Sequence, residues 1–544
     1  MKLHSLLILL FCVLASPLRA QDDLYAAQRS AWLEQAEAAK PQLKETIVKP
    51  RCLVQPIADK GAWQGWRFED AAPLDSLYKR SIKASPCVTV DFGRHMVGHY
   101  AFFVKTTARC QDAPLRLKFT FGETPAELNT PLDPYPGTLS RAWMQDEVVT
   151  LTTIDEWVTV PRRVACRYVK IELLGVSPDF DCALTDMEFR ATSAVGTCTL
   201  PHAEGCPERV RKIEDVAVET LRECMQTVYE DGPKRDRRLW AGDLYLQALA
   251  NMYSFEDYDL TRRCLYLLAA LSADDGRLHA NVFEAPTPHP QYGSHCEDYS
   301  LLYTITLADY LEATGDMQTA EDLWPIVERQ IAWALSFVDK DNVYDPQAHG
   351  DWQWLFFDWK AGLQPKAAMQ GLVVYVLRKD AEMARRIGKA DEARQWDKTA
   401  DRMAAAGRRT YYDKQRGIYR SGSADGQVNW MTQIWMTLAG IERSPEALRR
   451  IMEMPEALGL GAPYAHHYLV EAMISCGMKD EARQHLLDYW GSMVDKSADT
   501  FWEVYDPTNA ELSPYNFFPM NSACHAWSCT PVYFIQKYPD IFQR

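Results

Sequence analysis

The chain has 544 residues, of which 47% are hydrophobic and 24% charged, and its formal net charge is −15. This composition is ordinary for a globular protein, and the length suits two or three domains. Nucleic acids and anionic membrane surfaces require a basic footprint, so the acidic balance argues against both as partners. A locally basic pocket for an acidic sugar stays compatible with it.

The N-terminus has the pattern of a targeting segment. Residues 1–20, MKLHSLLILLFCVLASPLRA, place a lysine near the start, an apolar core in the middle and small residues toward the end. This order is typical of a secretory signal peptide, with cleavage expected near Ala20. The apolar run is too short for a comfortable membrane span, and no other stretch has transmembrane character. We therefore expect an exported protein, periplasmic or secreted, without membrane insertion.

The chain contains 14 cysteines, one of which, Cys12, lies in the predicted signal peptide. The others lack the tight spacing of zinc sites, and the pair Cys524 and Cys529 is too isolated to suggest one. We expect mostly buried thiols with one or two disulfides. Because no metal-ligand cluster, phosphate-cradling glycine loop or redox motif occurs, we predict no cofactor and no metal centre. A structural calcium ion remains open.

The sequence pattern changes once within the first two hundred residues. Residues 21–44 are rich in Ala, Gln and Glu and predict a helical lead-in. From 45 to 195, short runs of alternating apolar and polar residues are broken by Pro, Gly and Asp, which is typical of an all-β sandwich. The clearest predicted strands are residues 87–92, 100–105, 115–120 and 168–173.

A second region follows a small, polar seam at residues 193–206. From 205 to 544, apolar residues recur at three- and four-residue steps, which predicts helices. The predicted helices are residues 207–227, 243–253, 299–314, 317–337, 367–387, 390–411, 444–454, 464–475 and 479–490. Successive helix pairs without a repeat of about 30–45 residues favour a closed ring of helical hairpins over an open solenoid.

One stretch between two predicted helices concentrates charge. Residues 229–243, YEDGPKRDRRLWAGD, combine four carboxylates with four cations and a tryptophan. Asp231, Gly232 and Pro233 break the chain, and the last four residues open the next apolar run. Charges, a turn and a tryptophan between helices favour the rim of a pocket for a polar, ring-shaped ligand. The alternative is a solvated linker.

Tryptophans cluster in other loops of the helical region. Trp352, Trp354 and Trp359 lie in GDWQWLFFDWK, and Trp430 lies in NWMTQIW. Core packing is the default for a single tryptophan. Clustered in loops beside carboxylates, several are expected to form platforms for a sugar ring, and we predict Trp352 and Trp430 to bind substrate.

Four stretches resemble glycoside hydrolase family 78, the α-L-rhamnosidases. VDFGRHMVGHYAFFVK with LRLKFTFGE is similar to the family's N-terminal sandwich, and DGPKRDRRLWAGD to its acidic catalytic loop. ADTFWEVYDP is similar to its Thr-x-Trp-Glu motif, and NSACHAWSCTPVYFI to its terminal His-containing helix. The resemblance implies a mainly α fold with an all-β module, in which an N-terminal β-sandwich precedes an (α/α)6 barrel.

The resemblance also implies roles for individual residues. Glu503 falls on the family's general base, and Asp236 stands where the family usually has its general-acid glutamate. The remaining positions fall on the sugar pocket, Asp231 only approximately because the loop is one residue shorter: Asp231, Arg235, Trp240, Asp243 and His525.

The aspartate at position 236 is the main departure from the family pattern. Its side chain is one methylene shorter than that of glutamate, and its reference pKa is slightly lower. The neighbouring Arg235 and Arg237 would lower that pKa further, which does not suit an acid. Asp236 therefore has an alternative role, in which it only pairs with an arginine.

Three functions follow from this reading. The first is an exo-acting, inverting hydrolase that releases terminal α-L-rhamnose from plant or microbial glycans. The second is a lyase that cleaves rhamnose-capped glucuronic acid by β-elimination, as in the similar polysaccharide lyase family 27, with Lys234, Arg235, Arg237 or Arg238 neutralising the uronate. The third is a non-catalytic protein that binds rhamnose glycans. A rhamnose-containing oligo- or polysaccharide is the expected partner in each, and the oligomeric state stays open.

Overall fold

The computed structural model describes residues 23–544, so the predicted signal peptide lies outside the described residues. The lead-in forms helix α1, Arg29–Ala38, in which Trp32 and Ala36 are buried. Arg263 of the helical half donates a hydrogen bond from Nη1 to the Ala36 carbonyl at 2.5 Å. The helix is shorter than predicted, since turns precede it and residues 40–43 are irregular before the first strand begins at Lys44. The lead-in thus docks on the helical half.

The N-terminal half is rich in sheet. Its strands are β1 Lys44–Val48, β2 Cys52–Ala58, β3 Trp66–Ala72, β4 Cys87–Ala108, β5 Leu115–Gly122, β6 Asp146–Leu151, β7 Trp157–Thr159, β8 Val164–Gly175 and β9 Asp181–Ser193. Two short helices, α2 Asp75–Tyr78 and α3 Pro125–Asn129, lie in its loops. The order along the sheet is β1-β9-β4-β8-β5-β6, with β2, β3 and β7 paired beside this path. The four predicted strands lie within β4, β5 and β8.

Strand β5 shows why the sequence alternates. Leu115, Leu117 and Phe119 are buried, whereas Arg116 is exposed and Lys118 is only partly covered. Successive side chains of a strand point to opposite faces, so one face of β5 packs into the apolar core of the sheet. The strand ends at Gly122. The next residues of the chain lie at the boundary with the helical half.

The C-terminal half is helical. Its helices are α4 Glu208–Cys224, α5 Ala241–Met252, α6 Tyr258–Ala270, α7 Glu297–Thr314, α8 Met317–Leu335, α9 Lys366–Arg386, α10 Ala390–Tyr411, α11 Trp430–Leu438, α12 Pro445–Glu453, α13 Pro463–Ser475, α14 Lys479–Asp495, α15 Pro531–Lys537 and α16 Pro539–Phe542. Short strand pairs link some of them: β10 Leu239–Trp240, β11 Asn281–Phe283, β12 His289–Pro290, β13 Tyr412–Asp413 and β14 Ile418–Tyr419. Single 3₁₀ turns occur at Trp63–Gly65, Ile82–Ala84, Arg141–Trp143, Phe518–Met520 and Ala526–Ser528.

Every second helix of this half is central. Helices α5, α7, α9, α11 and α13 contact one another in that order, and α15 contacts α5. We call these six the central helices. Helix α7 is buried along almost its whole length, whereas α10 buries only one face, at steps of three and four residues. A helix that is apolar all round belongs inside and an amphipathic one belongs outside, so the central helices form the inner layer.

The structure corrects two expectations. The predicted helices of this half are present, but α6, α11, α15 and α16 are additional. The expected disulfides are not formed among residues 23–544, where all cysteines are free thiols. Even the sulfur atoms of Cys224 and Cys524 are 3.9 Å apart, about twice the length of a disulfide bond. Within the described chain, no helix has the length and apolarity needed to cross a membrane.

Candidate active site

The site begins at the loop between α4 and α5, and Asp231 organises that loop. Its Oδ2 accepts a hydrogen bond from the Asp236 backbone N–H, and its Oδ1 accepts one from that of Arg238, each at 3.1 Å. Its backbone carbonyl accepts a third from the N–H of Ala526, at 3.0 Å. The buried carboxyl group of Asp231 therefore sets the shape of the loop, and the backbone carbonyl of the same residue ties the loop to the C-terminal segment.

Burial raises the pKa of Asp231 to about 7, and the negative charge of Asp236 adds to this increase. The side chain is only 6% exposed. A carboxyl group in low dielectric beside another carboxylate favours its neutral form. Asp231 therefore holds a proton close to neutral pH, as a general acid must.

Glu503 has the opposite character. Its Oε2 accepts hydrogen bonds from Nη2 of Arg235 at 2.5 Å and from the Ser522 backbone N–H at 2.9 Å, and its Oε1 accepts one from the Tyr515 hydroxyl. Burial alone would raise its pKa, but the charge of Arg235 and these hydrogen bonds outweigh the effect of burial, and the pKa lies below its ordinary value. Glu503 is a buried carboxylate that stays ionised, which suits a general base.

The backbone around Glu503 is fixed on several sides. Its N–H donates to the Ser522 carbonyl at 2.9 Å, and its own carbonyl accepts a hydrogen bond from the indole of Trp527 at 3.0 Å. Upstream, the N–H of Phe501 donates to Oγ1 of Thr220 on α4 at 2.8 Å. The segment has no regular secondary structure, so these bonds hold it in place.

Asp236 lies between two guanidinium groups. Arg235 donates from Nη1 to its Oδ1 at 3.1 Å, and Nη1 of Arg238 lies 3.7 Å from its Oδ2. Its side chain is 14% exposed, more than that of Asp231. The pairing with arginine considered from the sequence is therefore present.

Asp243 and His525 lie at the base of the site. Asp243 is in the first turn of α5, and burial, followed by the charge of Asp231, raises its pKa well above the ordinary value. In the described structure its Oδ1 has no hydrogen-bond partner, although Nδ1 of His525 lies 3.8 Å away. Burial lowers the pKa of His525 to about 3, so the ring is neutral. His525 precedes the 3₁₀ turn at Ala526–Ser528 rather than lying in the expected terminal helix.

These groups surround a cavity of about 280 Å³. It is lined by Leu139, Trp143, Asp231, Arg235, Asp236, Arg238, Trp240, Asp243, Gln291, Tyr299, Trp354, Phe356, Trp359, Glu503, Tyr515, His525 and Trp527. Its lining combines carboxyl and guanidinium groups with several aromatic rings. An aromatic wall beside carboxyl groups suits the apolar face and the hydroxyls of a sugar ring.

Two predicted residues lie elsewhere. Trp352 is 47% exposed and does not line the cavity. Trp430 begins α11, where its N–H bonds to the Leu458 carbonyl, and its side chain packs against the helical core. Sequence clustering could not separate these tryptophans from Trp354 and Trp359, whose rings face the cavity.

The aromatic loop is positioned by buried carboxylates. Asp298 accepts hydrogen bonds from the backbone N–H groups of Phe356 and Phe357, at 3.1 and 3.2 Å. Asp358 accepts one from the N–H of Gly461, at 2.6 Å. A carboxylate beside the tryptophans therefore shapes the loop and does not itself line the cavity.

Several lining residues carry no signal in the sequence. Tyr515 lies in an irregular loop and reaches Glu503 only through the fold. Leu139 and Trp143 come from the sheet-rich half, more than 80 positions before the catalytic loop. Trp527 differs from these residues, because it stands in the His-containing motif of the sequence.

Lys234 of the loop is not in the cavity. Its buried Nζ lies 3.0 Å from Oε2 of Glu123 and 3.2 Å from Oε1 of Glu127, both in the sheet-rich half. Burial would raise the pKa of Glu123, but Lys234 and His95 outweigh it and lower that pKa to about 2. The loop between α4 and α5 is thus bound to the sheet-rich half through the buried contacts of Lys234 with Glu123 and Glu127.

Arg237 is also occupied outside the cavity. It donates to the backbone carbonyls of Pro233 and Arg163, at 2.9 and 2.7 Å. Of the four cations in the loop, only Arg235 and Arg238 line the cavity. Among residues 23–544, no cluster of three or more His, Cys, Asp or Glu has the arrangement of a metal site.

Comparison with known proteins identifies two regions of the chain. Residues 50–191 match the glycosyl hydrolase family 78 α-rhamnosidase N-terminal domain. Residues 206–538 match the bacterial α-L-rhamnosidase six-hairpin glycosidase domain. A search of curated proteins gave no match.

Solved structures agree with this result. A rhamnosidase from Klebsiella oxytoca with rhamnose bound is 39% identical, with a TM-score of 0.89 over 94% of this chain and 99% of that chain. A family 78 rhamnosidase of Bacillus sp. GL1 (21% identity, TM-score 0.68) covers 82% of this chain and 46% of its own. The α-L-rhamnosidase of Streptomyces avermitilis, complexed with L-rhamnose, has 18% identity, a TM-score of 0.62 and coverage of 91% and 44%. The latter two show a shared fold. The chain therefore belongs to glycosyl hydrolase family 78, the α-rhamnosidases.

Proposed function

We propose that the protein is an exo-acting, inverting hydrolase that releases terminal α-L-rhamnose from plant or microbial glycans. The observation that carries the proposal is that one cavity brings together two carboxyl groups of opposite character: Glu503, whose pKa is lowered by Arg235 and its hydrogen bonds, and Asp231, whose pKa burial raises to about 7. Inverting glycosidases need such a pair, a carboxylate that activates water and a carboxylic acid that protonates the leaving oxygen. The Klebsiella oxytoca relative with rhamnose bound supports the choice of sugar.

The cavity supports an exo mode of action. Its volume of about 280 Å³ suits one sugar ring, and aromatic side chains close its walls. Trp240 meets Tyr299 edge to face, with ring centroids 6.3 Å apart, and Phe356 meets Trp359 in the same way at 5.1 Å. A pocket of this kind accepts a chain end rather than the middle of a polymer.

Glu503 is the proposed general base. Arg235, Tyr515 and the Ser522 N–H fix both of its oxygens. A base held in one orientation by three donors directs its remaining lone pairs at a single water position. This preorganisation lowers the cost of reaching the transition state.

Asp231 is the proposed proton donor. Burial, with the nearby charge of Asp236, raises its pKa to about 7, so it can hold a proton close to neutral pH. Asp236 itself, the donor expected from the sequence, is the second candidate, because its side chain is the more exposed of the two and an exo-enzyme holds its leaving group toward solvent.

The finer architecture belongs to the same proposal. We propose that the sheet-rich half is a β-sandwich and that the helices α4–α15 pair into an (α/α)6 barrel with the central helices as its inner ring. The alternation of buried and amphipathic helices supports this arrangement. The targeting pattern of residues 1–20 supports an exported, periplasmic or secreted protein.

The reaction can be followed on an aryl α-L-rhamnoside and on rhamnosylated oligosaccharides. Proton NMR during the first turnovers should show β-L-rhamnose, the inverted anomer, before mutarotation. Initial α-rhamnose would exclude inversion, and no released rhamnose from either class would exclude the hydrolase.

Two of the four cations of the lyase alternative are occupied outside the cavity. Lys234 pairs with Glu123 and Glu127, and Arg237 binds backbone carbonyls, so only Arg235 and Arg238 would neutralise a uronate. An unsaturated uronate absorbs in the near ultraviolet, so absorbance of the product mixture separates the two reactions. Binding of rhamnosylated glycans without turnover would instead favour the non-catalytic alternative.

A further inference from the structure

A loop of the sheet-rich half packs against the segment that carries Tyr515. We call residues 132–144, between α3 and β6, the cover loop. Its last residue, Met144, forms a small apolar cluster with Tyr515, Phe517 and Met520, each of them exposed by 7% or less. Four partly buried residues of the cover loop pack against this cluster: Leu132, Tyr135, Leu139 and Trp143. The cover loop and the segment of Tyr515 therefore share a core of their own.

The cover loop makes two direct contacts with this segment. The backbone N–H of Thr138 donates to the Tyr515 carbonyl at 3.0 Å. The ring of Tyr135 meets that of Phe517 edge to face, with centroids 5.5 Å apart. The Tyr135 hydroxyl also donates to the Leu139 carbonyl at 2.8 Å, which closes the cover loop on itself. These contacts hold the Tyr515 backbone from the side of the sheet-rich half.

Tyr515 in turn contacts the catalytic cavity. Its hydroxyl donates to Oε1 of Glu503, and the Arg235 guanidinium lies over its ring, 4.3 Å from the centroid. The ring of Trp359 meets it edge to face at 5.8 Å. A guanidinium over an aromatic face is held there by attraction to the ring. Tyr515 therefore touches both the proposed base and the cation that keeps this base ionised.

The segment of residues 512–521 has little regular structure. In the described chain its helical part is the single 3₁₀ turn Phe518–Met520. Lys234 of the helical half holds the far end of the segment, where Nζ donates to the Asn521 carbonyl at 2.6 Å. A loop with few bonds of its own takes its position from its neighbours. At Tyr515 the cover loop is one of these neighbours.

We propose that the cover loop positions the general base, with Tyr135 and Thr138 acting on Glu503 through Tyr515. Neither Tyr135 nor Thr138 lines the catalytic cavity, so both are positioning residues and not catalytic ones. A misplacement of about 1 Å can cost a catalytic group about 10²-fold in rate, so a small movement of Tyr515 is sufficient. The inference rests on the proposed function, because it assigns part of the sheet-rich half to the base proposed there.

The pH profile separates positioning from a purely structural role. Against the effect of burial, the charge of Arg235 and, to a smaller extent, the hydrogen bond from Tyr515 lower the pKa of Glu503. Loss of that hydrogen bond raises the pKa, so the acid limb of kcat/KM, where the base is protonated, moves toward neutral pH. His525, which is neutral, and Asp243 also face Glu503. None of these other groups belongs to the cover loop.

Two substitutions test the contacts one at a time. Tyr135→Ala removes the ring that packs on the segment. Thr138→Pro removes the backbone N–H and leaves the apolar cluster intact, so it tests the same link where Tyr135→Ala loses stability. Each is made in the wild type and in a Tyr515→Phe background. Trp157→Ala is the matched control, because Trp157 is an exposed aromatic residue of β7 that packs on Phe103 within the sheet-rich half.

Three measurements on the full chain follow these variants. Turnover of an aryl α-L-rhamnoside gives kcat, its pH dependence gives the acid limb, and hydrogen–deuterium exchange reports on residues 512–521. In the wild-type background both substitutions should lower kcat about threefold to tenfold, move the acid limb toward neutral pH and speed exchange in this segment. In the Tyr515→Phe background neither should lower kcat further, because the hydroxyl through which they act is absent. Trp157→Ala should match the wild type.

The proposal is overturned if both variants keep the wild-type kcat and acid limb, or if they have the same effect in both backgrounds. Exchange does not depend on turnover, so failure of this inference is distinguishable from failure of the proposed function. Unchanged exchange of residues 512–521 in both variants overturns the first. A wild type that releases no rhamnose overturns the second.

Discussion

Arg235 donates a hydrogen bond from Nη2 to Oε2 of Glu503 at 2.5 Å, between residues 268 positions apart in the chain. The same guanidinium reaches Oδ1 of Asp236 at 3.1 Å through Nη1. One buried guanidinium group therefore contacts both carboxyl groups. Its charge lowers the pKa of Glu503, which favours Glu503 as the base of the proposed mechanism.

Replacing Glu503 by Gln removes the base while keeping the size of the side chain. We expect kcat on an aryl α-L-rhamnoside to fall by about 10²–10⁴-fold, the usual contribution of general base catalysis. Added azide, which needs no base, should restore turnover and yield β-L-rhamnosyl azide. Tyr515→Phe is the control, because it removes one hydrogen bond to Glu503 and should lower kcat less. Wild-type kcat in the Gln variant would rule out Glu503.

Leaving-group dependence distinguishes the two candidate acids. An enzyme without its acid still cleaves an activated dinitrophenyl rhamnoside but not a poor leaving group. We expect Asp231→Asn to lose activity on a natural rhamnosyl disaccharide far more than on the activated substrate. Asp236→Asn should lower both activities by a similar factor. The reverse pattern would make Asp236 the proton donor.

The pH profile should follow the same two groups. Because the pKa of Asp231 is raised to about 7, its proton, and with it kcat/KM, should be lost as the pH rises through about 7. Because the pKa of Glu503 is lowered, the base stays ionised, and activity should persist to below the ordinary glutamate range. Measured kcat/KM between pH 3 and 9 should therefore be bell-shaped. A profile of Asp231→Asn that keeps the alkaline limb would show that another group titrates there.

Arg235→Lys should act on this profile as well as on the rate. Lysine cannot bond two carboxylates through a planar fork, so the substitution is not conservative. With its main cation displaced, Glu503 should have a higher pKa, which moves the acid limb toward neutral pH and lowers kcat. Arg238→Lys is the matched control, since Arg238 does not contact Glu503, and its acid limb should stay at the wild-type position. An unshifted limb in Arg235→Lys would mean that other groups keep Glu503 ionised.

Lys234→Met should destabilise the protein. The substitution leaves Glu123 and Glu127 buried without their cation, and breaking a buried pair costs about 3–5 kcal/mol. Lys212→Met is the control, because Lys212 is exposed on α4, 3.8 Å from Glu208, and its loss should cost less than about 1 kcal/mol. Denaturant unfolding followed by circular dichroism measures both. Equal stabilities would show that the pairs do not hold the two halves together.

Periodicity predicted most helices because their buried residues recur at regular steps. It missed α6, where the fully buried Arg263 interrupts the apolar stripe, and α11, which is apolar on nearly every side. Neither helix shows the regular alternation of apolar and polar positions from which an amphipathic helix is predicted.

The residues of the candidate site also fall into two groups, those that the sequence indicates and those that it does not. Arg235, Trp240 and Asp243 lie in one dense stretch and stand out in the sequence. Tyr515 and Trp143 reach the cavity only through the packing of distant segments, for which a single sequence holds no local signal. The raised pKa of Asp231 likewise depends on burial, which composition does not reveal.

The boundary between the halves has a practical consequence. Leu139 and Trp143 form part of the cavity wall, and Glu123 and Glu127 supply the counter-charges of Lys234. A helical fragment expressed alone would expose a buried lysine and leave the sugar pocket open on one side. The smallest working catalyst thus includes both halves, and a chimaera that exchanges the N-terminal half must preserve this seam.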